Sequence, residues 1–218
     1  TGDGVFKLFR YTEGTLRQLA PPKMDPLNCL CQAWLSESRI IVGTDASKVI
    51  LFEGGELKAE FKVFDKADDM RVECVTAHST GFVCAGALGT LHRFEAVEDK
   101  ELYKKVGDEK CPNDTNGTQV IRNLAISPSE DNMVCTTDVN QLYTLRLAPE
   151  DADTQKTEGP ALKLLSQPFH HDSIKGLSIA TRKPLVATCS ADCSIRIWNY
   201  LDNTVELMKY FPEEALSI

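Results

Sequence analysis

The 218 residues carry 32 acidic against 24 basic side chains, a formal net charge of −8 with a pI near 5.1. That balance argues against nucleic acid or an anionic membrane as the main partner, because both require a basic face. With 42% hydrophobic and 26% charged residues and no run of 18 apolar ones, the chain reads as a soluble globular protein without a transmembrane helix.

In chain order, short period-two apolar runs alternate with turn clusters, and long helical periodicity is missing. Residues 1–20 supply a turn, a strand over 5–11 and a strand over 15–19. The unit 28–64 predicts strands over 29–35, 40–44, 48–53 and 57–64. The unit 72–106 repeats the order over 72–77, 82–85, 90–96 and 101–106. The unit 120–167 does so over 120–126, 133–136, 141–147 and 162–167, and the unit 174–211 over 174–179, 185–190, 194–200 and 204–211. Residues 214–218 predict the first strand of a further unit.

Aligning the third strands on the bulky residue near their ends gives the column Phe9, Phe52, Phe94, Leu145 and Trp198, at intervals of 43, 42, 51 and 53 residues. The short intervals match a WD-type blade of about 40–45 residues. Two polar, turn-rich connections over 107–118 and 148–160 account for the long ones. The fold class is therefore all-β: a WD40-type β-propeller fragment with four complete four-stranded blades and partial blades at both ends. Half-blades leave strand edges unpaired, so the native protein is expected to continue in both directions.

His170-His171-Asp172-Ser173-Ile174, followed by Cys189-Ser190-Ala191-Asp192-Cys193-Ser194-Ile195-Arg196-Ile197-Trp198-Asn199, resembles a WD40 repeat. That family has Gly-His before the first strand, an Asp in the second turn and Trp-Asp closing the third strand. Here Phe169-His170 and Trp198-Asn199 stand in those places. The resemblance implies a blade-locking hydrogen-bond network of His170, Ser190, Asp192 and Trp198, since a buried Asp and Trp must find partners. At the Asp position the other complete blades have Ala46, Leu88 and Val139, and the partial first blade has Asp3. Those blades are expected to rely on apolar stacking.

No chemistry-bearing constellation assembles, so no catalytic residue, cofactor or metal site is expected. Adjacent residues in His170-His171-Asp172 point in different directions on an extended chain, and no Cys pair nearby has zinc spacing. Cys189 and Cys193 flank a turn, and Cys29-x-Cys31 reads as core packing. Most of the eight cysteines sit in apolar runs and read as small buried hydrophobes, which favours a reducing compartment. Ser127-Pro128-Ser129 is a turn. The acidic groups at 65–69, 98–101 and 150–153 fall on loops, as do the sequons at Asn113 and Asn116.

A second resemblance covers nearly the whole chain. Gly4-Val5-Phe6-Lys7-Leu8-Phe9-Arg10, Ile41-Val42-Gly43-Thr44-Asp45 with Leu51-Phe52-Glu53, and Arg182-Lys183-Pro184-Leu185-Val186-Ala187-Thr188-Cys189-Ser190 carry it. Together with Ile195-Arg196-Ile197-Trp198-Asn199-Tyr200 and Glu213-Glu214-Ala215, they resemble the cilia- and flagella-associated protein fifty-seven family, WD-repeat proteins of the axoneme. Members have two N-terminal propellers followed by a long coiled coil, which lies outside these residues. The resemblance implies a non-enzymatic scaffold of the ciliary or flagellar axoneme that helps anchor a subset of inner dynein arms on doublet microtubules. Its implied partners are the inner dynein arm base, neighbouring doublet-associated proteins and the remainder of its own chain, with neither nucleic acid nor membrane. The alternative is a generic WD40 adaptor that captures peptide segments in a cytoplasmic complex.

Overall fold

The computed structural model describes residues 4–20, 22, 27–64, 70–97, 102–112, 119–147, 162–165 and 169–218. A two-stranded ribbon, β1 (Phe9–Thr12) and β2 (Thr15–Gln18), comes first. Four four-stranded sheets follow. They are β3 (Cys29–Trp34), β4 (Arg39–Thr44), β5 (Lys48–Glu53) and β6 (Glu56–Lys62), then β7 (Val72–His78), β8 (Gly81–Gly86), β9 (Thr90–Ala96) and β10 (Tyr103–Lys110). The third holds β11 (Ile121–Ile126), β12 (Asn132–Thr137), β13 (Leu142–Arg146) and β14 (Lys163–Leu164). The fourth holds β15 (Ile174–Ile179), β16 (Leu185–Ser190), β17 (Ser194–Asn199) and β18 (Thr204–Tyr210). Each sheet is an antiparallel meander in chain order, the blade of a WD-type β-propeller.

The chain forms two compact units, Thr1–Thr137 with Tyr143–Lys163, and Asp138–Leu142 with Leu164–Ile218. In the first unit, the first strand of each sheet lies beside that of the next, β3 against β7 and β7 against β11. Strand alternation sends β4 and β5 into two cores at once. Ile41, Val49 and Leu51 meet Val72, Phe82, Cys84, Phe94 and Tyr103 of the second sheet. Ile40, Val42, Ile50 and Phe52 form the other core with Cys29, under Phe6, Leu8 and Leu27. Both faces being covered, these strands read as unbroken apolar runs, and each fully buried side chain contributes about 1.5–3 kcal/mol.

The repeat extends to its irregularities. In every four-stranded sheet the first strand carries a bulge, at Cys29/Cys31, Val72/Cys74, Ile121/Asn123 and Ile174/Gly176. Leu30, Glu73, Arg122 and Lys175 thereby drop out of the pairing. A second bulge, opposite the bulky column residue, recurs at Leu51/Phe52, Lys105/Gly107 and Ile197/Trp198. The turn between second and third strands always holds a left-handed residue: Ser47, Gly89, Asn140 or Cys193. The carbonyls of Ser47, Gly89 and Cys193 accept the N–H groups of Val63, Cys111 and Phe211, tying that turn to the exit of the fourth strand.

Several expectations need correction. Phe9 is 51% exposed on the two-stranded ribbon, whereas Phe52, Phe94 and Leu145 of the same column are buried. Phe6, just before the ribbon, stacks on Phe52 at 4.6 Å between ring centres. The connection predicted from 107 begins later. The bulge at Val106 restores pairing, so β10 runs to Lys110 with Glu109 and Cys111 buried. The strand predicted over 162–167 is confined to Lys163–Leu164 among the described residues. Residues 214–218 form no strand. Instead Ile218 reaches Gly176, where a Cβ would lie 3.2 Å from its backbone nitrogen, much as Val72 crowds Gly43. Asp3, the sequon residues 113–118, the connection over 148–160 and the three acidic groups lie outside the described residues.

Candidate functional site

The polar centre of the second unit is built on the β16–β17 turn. Cys193 takes the left-handed conformation (φ 60°), which folds Asp192 back over its own turn. Asp192 Oδ1 accepts from Ser194 N at 2.9 Å and Ser194 Oγ at 2.6 Å. Its Oδ2 lies 2.9 Å from His170 Nδ1 and accepts His171 N at 3.2 Å. His170 is carried on the segment before β15. The preceding turn holds that segment, where Gln141 Nε2 donates to Phe169 O at 3.0 Å and Asn140 Nδ2 to His170 O at 3.3 Å.

The link from His170 to Trp198 passes through Thr188. Its Oγ1 accepts Trp198 Nε1 at 2.8 Å and lies 2.8 Å from His170 Nε2. A histidine carrying its proton on Nδ1 satisfies every member: indole to hydroxyl, hydroxyl to Nε2, and Nδ1 to the carboxylate. Ser190 serves elsewhere. Its Oγ accepts Asp192 N at 3.1 Å and donates to Asp172 O at 3.0 Å, pinning the turn to the entry of β15. Of the four residues singled out in sequence, His170 and Asp192 touch directly, Trp198 joins through Thr188, and Ser190 meets only the Asp192 backbone. Thr188 and Ser194 were not anticipated. Both lie on the Trp198 face by alternation, a parity the sequence carries once the register is known.

Burial raises the Asp192 carboxyl, but the hydrogen bonds from Ser194 and His170 outweigh it and hold the group well below the usual carboxylate range. Arg196 is buried beside it, Nη2 3.7 Å from Asp192 Oδ2, with its guanidinium 6.0 Å from the centre of the Trp198 ring. This arrangement holds charge and fixes geometry.

The other sheets replace the network piecemeal. Thr44 Oγ1 accepts Ala46 N at 3.3 Å, the same role as Ser190. In the second sheet, apolar stacking of Phe61 on Phe82, Phe94 and Tyr103, and of Phe64 edge-on against His92, is supplemented by a half-exposed polar contact. His92 Nδ1 lies 2.7 Å from Asp108 Oδ1, and Lys105 Nζ is 3.0 Å from Asp108 Oδ2 and donates to Val63 O at 3.2 Å. Burial raises the Asp108 carboxyl, yet the bonds to His92 and Lys105 bring it below its ordinary value.

All eight cysteines are free thiols. Burial pushes the Cys31 thiol up to about 12 and that of Cys135 up to about 11, so neither offers a thiolate at neutral pH. Cys31 Sγ donates to Val72 O and Cys74 Sγ to Ile121 O, each spanning to the first strand of the next sheet. Among the described residues, no three His, Cys, Asp or Glu side chains converge as a cation site, and no helix is long and apolar enough to cross a membrane.

The model of the WD domain, G-beta repeat family matches residues 162–199. Over its whole length the chain is 34% identical to "Cilia- and flagella-associated protein 57" of Mus musculus and covers 21% of that protein. It is 30% identical over its whole length to "Cilia- and flagella-associated protein 57 A" of Tetrahymena thermophila, covering 17% of it. The C form from the same organism is 23% identical over 94% of this chain. The chain thus spans about a fifth of the curated relatives it matches. Among solved structures, the WD40 β-propeller domain of Doa1 aligns with 87% of this chain and 56% of its own, at a TM-score of 0.46 and 14% identity.

Proposed function

We propose that this chain, homologous end to end to part of cilia- and flagella-associated protein 57, is a non-enzymatic interaction scaffold of the ciliary or flagellar axoneme. In this reading it helps anchor or assemble a subset of inner dynein arms on doublet microtubules. The observation that supports it most is the similarity, over the whole of this chain, to about a fifth of relatives from Mus musculus and Tetrahymena thermophila, in a chain built of WD-type blades. The polar groups of the fourth sheet serve the same reading. Their hydrogen bonds run among themselves, so they lock the blade and leave recognition to the exposed side chains. Its partners are then the inner dynein arm base, neighbouring doublet-associated proteins and other parts of the same polypeptide.

Localising a tagged full-length protein tests this reading. Signal along the axoneme, lost together with a subset of inner arms when the gene is removed, supports it; exclusion from cilia overturns it. The alternative, a general WD40 adaptor that captures peptides in a cytoplasmic complex, predicts a tight, sequence-specific short ligand in a peptide-array screen and a diffuse cytoplasmic signal.

A further inference from the structure

Two arginines carried by neighbouring sheets of the first unit converge on one carboxylate, and we propose that they form a docking surface for a carboxylate-rich segment of a protein partner. Glu73 and Arg122 are the residues that the first-strand bulges of the second and third sheets release from pairing. A bulge re-aims its side chain away from the pleat, so neither residue is consumed by ladder or core. Glu73 Oε1 lies 3.1 Å from Arg71 Nε and 3.1 Å from Arg122 Nη1. The Glu73 side chain is only 14% exposed, against 56% for Arg71 and 48% for Arg122. The acid therefore lies beneath, and the two guanidinium groups are presented to solvent.

Among the described residues, two guanidinium groups against one carboxylate leave a surplus positive charge. Each ion pair uses one nitrogen of a fork that carries five N–H donors, and the remaining donors suit the paired oxygens of a carboxylate. Glu73 also removes much of the rotamer freedom that binding would otherwise have to restrict. The backbone is fixed as well, because Arg71 O accepts Ala87 N at 3.3 Å and any Cβ on Gly86 would collide with that same carbonyl. The chain as a whole carries a net charge of −8, so it repels an acidic segment generally. A local positive fork on such a background fixes where and in which register the segment lands.

This inference rests on the scaffold reading, and the experiment separates the two. Full-length protein is titrated at low salt with a fluorescein-labelled decaglutamate peptide, followed by anisotropy, with thermal melts of each variant. The expected result is salt-sensitive binding that weakens about tenfold or more in the Arg71→Gln/Arg122→Gln double variant, with partial retention in Arg71→Lys/Arg122→Lys. Glu73→Gln should bind at least as well as wild type, since it deletes the competing carboxylate; a purely structural ion pair predicts lower stability and unchanged binding. Arg122→Gln alone, altering a half-exposed side chain, keeps the test valid if the double variant melts early. Equal affinity in wild type and folded variants overturns the proposal, as does binding of inorganic phosphate without any peptide affinity. Exclusion of the tagged wild-type protein from cilia overturns the scaffold reading; a ciliary protein whose peptide affinity ignores both arginines overturns only the docking surface.

Discussion

Thr188→Val isolates the polar network with almost no change of shape. Valine keeps the β-branched outline inside β16 but deletes the hydroxyl that receives Trp198 Nε1 and meets His170 Nε2, both at 2.8 Å. Two hydrogen bonds vanish, and two ring nitrogens in a largely dry site lose their shared partner. Each lost bond costs about 0.5–1.5 kcal/mol, and leaving the partners unsatisfied brings the total to about 2–4 kcal/mol. For a chain of this length, that is a fall in melting temperature of roughly 5–10 °C. The chain has two tryptophans, so a Trp34→Phe background makes Trp198 the sole fluorescent reporter of the second unit during urea unfolding. Thr188→Ser, which keeps the hydroxyl, should recover most of the loss. A Thr188→Val protein within about 0.5 kcal/mol of its parent, below the usual cost of one such bond, refutes a structural role for the relay.

Three further outcomes follow from the geometry. The folded-state pKa of Asp192 lies below its ordinary 3.8, so its stabilising effect is present above about pH 4 and lost as the pH falls through the lower folded value. Asp192→Asn should flatten the pH dependence of urea midpoints in that acid range; an unchanged slope contradicts the assignment. Phe52→Ala should cost about 3–5 kcal/mol by equilibrium denaturation while Phe9→Ala stays below about 1, reversing the equality their shared column suggests. Gly81→Ala drives a Cβ into the Phe94 carbonyl and should destabilise the second sheet by about 1–3 kcal/mol, seen as faster amide exchange over β8 and β9.

The four-strand rhythm was legible because every sheet is a meander, so sequence neighbours are spatial neighbours and turn residues mark each reversal. Of the predicted column, Phe52, Phe94 and Trp198 each pair with the second residue of the preceding strand. Phe9 broke the pattern for a local reason. All residues of the two-stranded ribbon are exposed, and it is Phe6 and Leu8, just before β1, that pack against the Phe52 cluster. Thr188 escaped notice because a threonine inside an apolar strand looks like any β-branched filler; only its register opposite Arg196 shows it aligned with Trp198. The early start assigned to the connection at 107 arose from Gly107 and Asp108, which read as turn formers. A bulge accommodates them within β10, where Asp108 meets His92.

Because each sheet is made of hairpins between adjacent strands, nearly all of its hydrogen-bonded pairing is short in sequence. Such a sheet can form soon after its last strand is available, before any partner sheet exists, and local pairing of this kind favours rapid folding. The connections between sheets then bear little of the assembly. Loop-closure entropy grows only with the logarithm of length, about 0.6 kcal/mol per doubling. Spacings of 42 and 51 residues between equivalent strands can therefore coexist in one chain. In evolutionary terms, inter-sheet connections are places where this protein can gain or lose residues without rebuilding its blades.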